Sequence, residues 1–87
     1  MTMNSDIDVT ETLDVRGENC PMPVIKTKQA VDGIAEGETL EVLATDPGSM
    51  SDIGGWAEST ANVELVDQQE SEEAGETVFR HFVARVA

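Results

Sequence analysis

The sequence predicts a two-layer α/β domain in which four strands and two helices follow the order β-α-β-α-β-β, with both helices on one face of the sheet. Apolar residues alternate at period two in two segments, the signature of half-buried strands, and a β-branched and aromatic run closes the chain. Between them lie two stretches with apolar residues at helical spacing. A strand, crossover helix and next strand normally form a right-handed parallel unit, which collects the helices over the sheet.

The first strand is read in Leu13-Asp14-Val15-Arg16-Gly17, where apolar and charged residues alternate before a glycine. The residues before it, 1–11, show no sustained period and are expected to be a flexible tail, leaving 12–87 as the domain. Pro21 and Pro23 open the first helix. Val24, Val31 and Ile34 mark its inner face, and Asp32-Gly33 offers a left-handed exit. A second strand follows over Thr39 to Thr45, with Leu40, Val42 and Ala44 on one side. Asp46-Pro47-Gly48-Ser49 breaks it. Met50, Ile53 and Ala57 then mark a weaker helix from Met50 to about Ala61, in which Ser49 and Asp52 resemble a capping box and Gly54-Gly55 sits mid-helix. Val63 to Val66 reads as a short third strand, Asp67 to Glu76 as a solvated acidic loop, and Thr77 to Val86 as a β-branched and aromatic fourth strand. The last two strands should pair as a hairpin with a long loop.

Eighty-seven residues suffice for one core and not for two. Eighteen acidic against five basic residues give a net charge of −13. That balance disfavours strong direct nucleic-acid binding, because phosphate contacts need clustered Lys and Arg. An acidic surface suits either very high ionic strength or basic partners, and acids spread along the chain with only two lysines favour the first. No apolar run approaches the roughly 20 residues of a membrane helix, so no membrane association is expected. Met1 to Glu11 has neither a basic start nor an apolar stretch, which points to the cytoplasm. One cysteine and one histidine cannot supply the ligands of a typical zinc site, and a lone cysteine cannot form an internal disulfide; neither metal nor organic cofactor is expected.

Cys20 is the strongest nucleophile candidate. At a helix start, free N–H groups and the macrodipole favour an anion, and a thiol there can fall from about 8.5 to roughly 3.5–7.5. Pro21 and Pro23 fix the backbone beside it and should aim the sulfur. Arg16 could add positive potential, whereas Glu18 and Asp46 oppose ionisation. The competing reading is that Cys20 fills space in the core. In a parallel β-α-β unit, both helix starts share the edge at the carboxyl ends of strands one and two, so Cys20 and the Asp46–Ser49 turn should be neighbours. Asp46 and Pro47 either shape that edge or simply end a strand and cap a helix. His81 is expected to be an ordinary strand histidine in contact with solvent. Trp56 and Met50 are expected in the core.

Leu13-Asp14, Cys20-Pro21-Met22-Pro23, Gly37-Glu38-Thr39-Leu40, Asp46-Pro47, Asp52-Ile53 and Phe79-Arg80-His81-Phe82-Val83 together resemble the TusA/SirA-type small sulfur carriers, in the expected order over residues 12–86. The resemblance implies a two-layer sandwich with a four-stranded mixed sheet. It also implies that Cys20 carries sulfur as a persulfide, received from a donor such as a cysteine desulfurase or rhodanese-like protein and passed to an acceptor protein. Met22 stands where members that feed tRNA thiolation commonly have Glu, and Glu18-Asn19 where a basic residue is often found. From a different class, the chain could be an acidic binding or redox-regulatory module in which Cys20 is structural or a redox handle.

Overall fold

The computed structural model describes residues 9–19 and 21–87, in the order β1 (Glu11–Asp14), α1 (Met22–Asp32), β2 (Thr39–Ala44), α2 (Ser49–Glu58), β3 (Val63–Glu73) and β4 (Glu76–Arg85). The sheet is mixed, with strand order β1-β2-β4-β3: β1 runs parallel to β2, and β4 runs antiparallel to both β2 and β3. Both helices lie over one face, α1 against β2 and β4 and α2 against β3 and β4.

Leu40, Val42 and Ala44 alternate along β2 and are fully buried, and the β4 residues opposite them, Val83, His81 and Phe79, point to the same layer. Val31 and Ile34 from the α1 segment and Ile53 and Ala57 from α2 close the core above them, with Trp56 half-buried against it. Each fully buried aliphatic side chain stabilises the fold by about 1.5–3 kcal/mol, so a few such residues suffice to hold the helices on the sheet. On the opposite face, the Arg80 guanidinium bridges Glu41 of β2 and Glu73 of β3. Val78 and Phe82 flank Arg80 on that face.

Several boundaries differ from expectation. β1 begins at Glu11, paired with Leu40, and ends at Asp14, because Arg16-Gly17 turns with Gly17 at φ 84°. The exit of α1 is not left-handed: Gly33 has φ −93°. Arg85 from β4 instead donates to the carbonyls of Ile34 (2.6 Å) and Asp32 (3.3 Å), supplying from the sheet the cation that the last turn of α1 lacks. The capping box does not form either, since Gly48 is the N-cap of α2 and Ser49 is its first, buried residue.

The largest correction is at 67–76. This segment is not a loop: β3 runs on to Glu73 and meets β4 through a two-residue turn at Ala74-Gly75, with φ 53° and 79°. Both left-handed conformations match the right-handed twist of the strands they join. Val66 is the extra residue of a bulge between the Leu65–Val83 and Asp67–Phe82 pairs. The bulge reverses which residues face the helices, so Val63 and Leu65 face them before it and Gln68 and Glu70 after it.

Candidate functional site

Because β1 and β2 are parallel, the loop into α1 and the turn into α2 leave the sheet at the same edge. Two hydrogen bonds tie them together: Val15 N–H donates to the Leu43 carbonyl (2.8 Å) and Gly17 N–H to Thr45 Oγ1 (2.9 Å). Cys20 itself lies outside the described residues. On either side of it in the chain, Met22 N–H donates to the Asn19 carbonyl (2.9 Å) and Pro21 is the N-cap of α1. Pro21 is exposed, whereas Pro23 is buried in the first turn, where a proline N lacks only a hydrogen that the helix would not use. Among the described residues no side chain caps α1 and no acid sits in its first turn; Pro21 and Pro23 bring no N–H to this end, and the Met22 N–H is taken by the Asn19 carbonyl.

The charges around this edge are largely spoken for. Arg16 donates to Asp14 from its backbone N (3.0 Å), Nε (2.9 Å) and Nη2 (2.8 Å), and this hydrogen bonding holds the exposed Asp14 carboxyl down at about 2. Arg16 thus serves Asp14 first. Glu18 pairs with Lys26 of α1 at 2.6 Å, which offsets the negative charge expected to oppose a thiolate nearby. Asp46 is half-buried; its Oδ1 accepts from Gly48 N–H (3.0 Å) and its carbonyl accepts from Ser49 N–H (2.9 Å), the pattern of a side chain that shapes a turn. Pro47 is exposed on that turn.

His81 differs from expectation. It is fully buried, not solvent-contacting. Its Nε2 lies 3.1 Å from Ser49 Oγ and its Nδ1 lies 3.0 Å from Gln68 Nε2. Gln68 Nε2 also donates to the Met50 carbonyl (2.8 Å). A carbonyl only accepts, so the Gln68 atom facing it is the amide nitrogen, whose second hydrogen points to Nδ1. His81 is therefore neutral with its proton on Nε2, donated to Ser49. Burial pushes its pKa down to about 4. Sequence reading missed this cluster because its members lie far apart in the chain and Gln68 was assigned to a loop. The one available signal was a histidine inside an apolar strand, Phe79 to Val83.

A separate cleft of about 390 Å³, lined by residues including Lys28, Trp56, Thr60 and Asn62, sits where both helices end, at the edge opposite the α1 start. Among the described residues, no group of His, Cys, Asp and Glu side chains could hold a metal ion, and no helix is long and apolar enough to cross a membrane.

Fold and edge together define a small α/β domain whose Cys-Pro-x-Pro sequence opens the first helix beside the turn into the second. The chain belongs to the sulfurtransferase TusA family, whose model matches residues 11–83. It is 64% identical over 83 residues to a Halobacterium salinarum protein assigned by name to the sulfur carriers, covering 95% of this chain and 98% of that one. The sulfur carrier protein TusA of Allochromatium vinosum is 40% identical over 63 residues, which is 72% of this chain and 82% of that protein. The crystal structure of a SirA-like protein from Desulfitobacterium hafniense superposes with a TM-score of 0.65 at 26% identity, covering 86% of this chain and 97% of the other. These relationships support a sulfur-carrier role.

Proposed function

We propose that this protein carries sulfane sulfur as a persulfide on Cys20, between a donor protein and an acceptor protein. The observation that carries the reading is the place of the cysteine in the chain: Cys20 immediately precedes Pro21, the N-cap of α1, a helix with no acid in its first turn. A negative sulfur is favoured at such a position. The Cys20 thiolate attacks the outer sulfur of a donor persulfide, the donor's sulfur–sulfur bond breaks, and the donor leaves as a thiolate. An acceptor thiolate then attacks the terminal sulfur of the Cys20 persulfide, and Cys20 leaves as a thiolate. The exchange is balanced without metal, organic cofactor or external oxidant. With one cysteine in the chain there is no internal thiol to displace the sulfur, which suits handing it on.

The donor class is a cysteine desulfurase or rhodanese-like protein, and the acceptor is a thiol protein serving tRNA thiolation, cofactor biosynthesis or sulfur metabolism. The compartment that fits this exchange is the cytoplasm, and the net charge of −13 fits one of high ionic strength. The test is incubation with a cysteine desulfurase and free cysteine, followed by intact mass. Wild type should gain one sulfur atom that reductant removes, and Cys20→Ser should gain none. Equal gain by the serine variant would place the sulfur elsewhere.

A further inference from the structure

We infer that His81 is a positioning residue for the Cys20 edge, acting through Ser49 on the turn that adjoins the Cys20 loop. The inference rests on the carrier reading for its purpose, but its geometry is independent of the cargo. His81 sits in β4 opposite Val42, deep in the sheet. Its partner Ser49 is the first residue of α2, is also fully buried, and directly follows Asp46-Pro47-Gly48. That turn continues from Thr45, whose hydroxyl accepts from Gly17 N–H in the loop leading to Cys20. A continuous path of hydrogen bonds and short chain segments therefore runs from the sheet centre to the sulfur edge.

The arrangement is more specific than packing requires. Asp46 accepts from the Gly48 and Ser49 N–H groups at the start of α2, and a second polar anchor, His81, comes from β4 across the core to the Ser49 hydroxyl. Gln68, in β3 directly opposite His81, fixes the ring from the other side and grips the Met50 carbonyl in the same first turn of α2. Two strands thus hold one helix start. An apolar residue at position 81 would fill the same space without specifying where Ser49 sits, since a buried polar contact imposes direction as well as distance. The consequence is that the Asp46–Gly48 turn keeps a fixed place against the loop at Gly17, three residues before Cys20, and with it the approach available to a partner's sulfur.

The test measures Cys20 alkylation by iodoacetamide across pH, with thermal unfolding, for wild type, Ser49→Ala, His81→Phe and the double variant, and with Val63→Ala as a core-destabilising control at the far edge. Ser49→Ala removes a single hydroxyl and keeps the test readable where His81→Phe fails to fold. In folded protein, Ser49→Ala and His81→Phe should each change the alkylation rate severalfold and displace the midpoint of its pH profile. The double variant should be no worse than the stronger single one, because both act on one contact. Val63→Ala should lower the thermal midpoint and leave the profile unchanged. A wild-type profile in both single variants, or an equal displacement in Val63→Ala, would overturn the inference. Sulfur loading is followed in parallel: a wild type that alkylates normally but takes no sulfur would sink the carrier reading alone.

Discussion

Lys26 Nζ lies 2.6 Å from Glu18 Oε2, joining the second turn of α1 to the loop two residues before Cys20. Both side chains remain partly exposed, so as a contribution to stability the pair is worth little, about 0–1 kcal/mol. Its effect is electrostatic and local. Lys26→Ala should leave a bare carboxylate beside Cys20 and slow its alkylation at neutral pH. Glu18→Gln should leave the ammonium unopposed and speed it. Raising the salt concentration should shrink both differences, because screening is strong between exposed charges. Equal rates in the two variants at low salt would show that this pair does not act on the thiol.

The buried imidazole sets a separate pH dependence. His81 holds a pKa of about 4 against an ordinary 6.5, so between those values the unfolded chain binds a proton that the folded chain does not. Stability is fully present above pH 6.5 and falls as pH drops toward 4, by roughly 3 kcal/mol at about 1.36 kcal/mol per unit. Asp14 acts lower, since its depressed carboxyl loses its stabilising contribution only as pH falls from 3.8 toward 2. Urea unfolding of wild type between pH 7 and 4.5 should therefore show a steeper loss than His81→Phe over the same range. An imidazole nuclear magnetic resonance titration should find the ring still neutral near pH 5, with its proton on Nε2. A ring that titrates near 6.5 would contradict this.

The turn at Ala74 offers a direct stability test. Its φ of 53° places an L-alanine in the left-handed region, which costs roughly 1–2 kcal/mol relative to a residue that tolerates it. Asn accepts that conformation without the added unfolded-state freedom of Gly, so Ala74→Asn should raise stability by about 0.5–1 kcal/mol. Gly75→Ala should lower it by about as much, because Gly75 has φ 79°. Urea midpoints read both, and a loss in Ala74→Asn would mean that the hairpin does not close through this turn.

The same hairpin marks where the sequence stops being legible. Strands with one buried face, such as Leu40-Glu41-Val42-Leu43-Ala44, announce themselves by alternation; β1 and β2 are readable for that reason, and β4 by its β-branched and aromatic composition. β3 alternates only as far as Leu65. The bulge at Val66 then moves the inward set from odd to even positions, and the residues that follow, Asp67 to Glu73, pair only with β4 at the sheet margin, where polar side chains stand in water. A segment that is both shifted in phase and polar looks like a loop. The helix starts were legible through Pro21, Pro23 and Pro47, and so was the shared edge, which follows from chain order and handedness. The Ser49–His81–Gln68 cluster was not, since local pattern assigned Ser49 a capping role that its burial against β4 overrides.

The last prediction concerns RNA. If the carried sulfur ends in a tRNA base, this protein should deliver it through another protein and bind the nucleic acid weakly on its own. The net charge of −13 repels phosphate, and four of the five lysine and arginine side chains are already engaged, leaving exposed Lys28 as an isolated cation. Arg16 is held by Asp14, Lys26 by Glu18, and Arg80 by both Glu41 and Glu73, while Arg85 is turned onto the carbonyls of Asp32 and Ile34. Freeing Arg16, Lys26 or Arg80 would expose its partner carboxylate to the same phosphates. The aromatic side chains that could stack on bases are also covered: Phe79 and Phe82 are buried on the two faces of β4 and Trp56 packs against the core. Titration of tRNA into the purified protein should show no saturable binding at low salt, where attraction to a basic patch would be strongest. Adding an acceptor protein should be required before tRNA is retained. Tight binding by the protein alone that weakens steeply as salt rises would show that the ion pairs open to form a phosphate-binding surface.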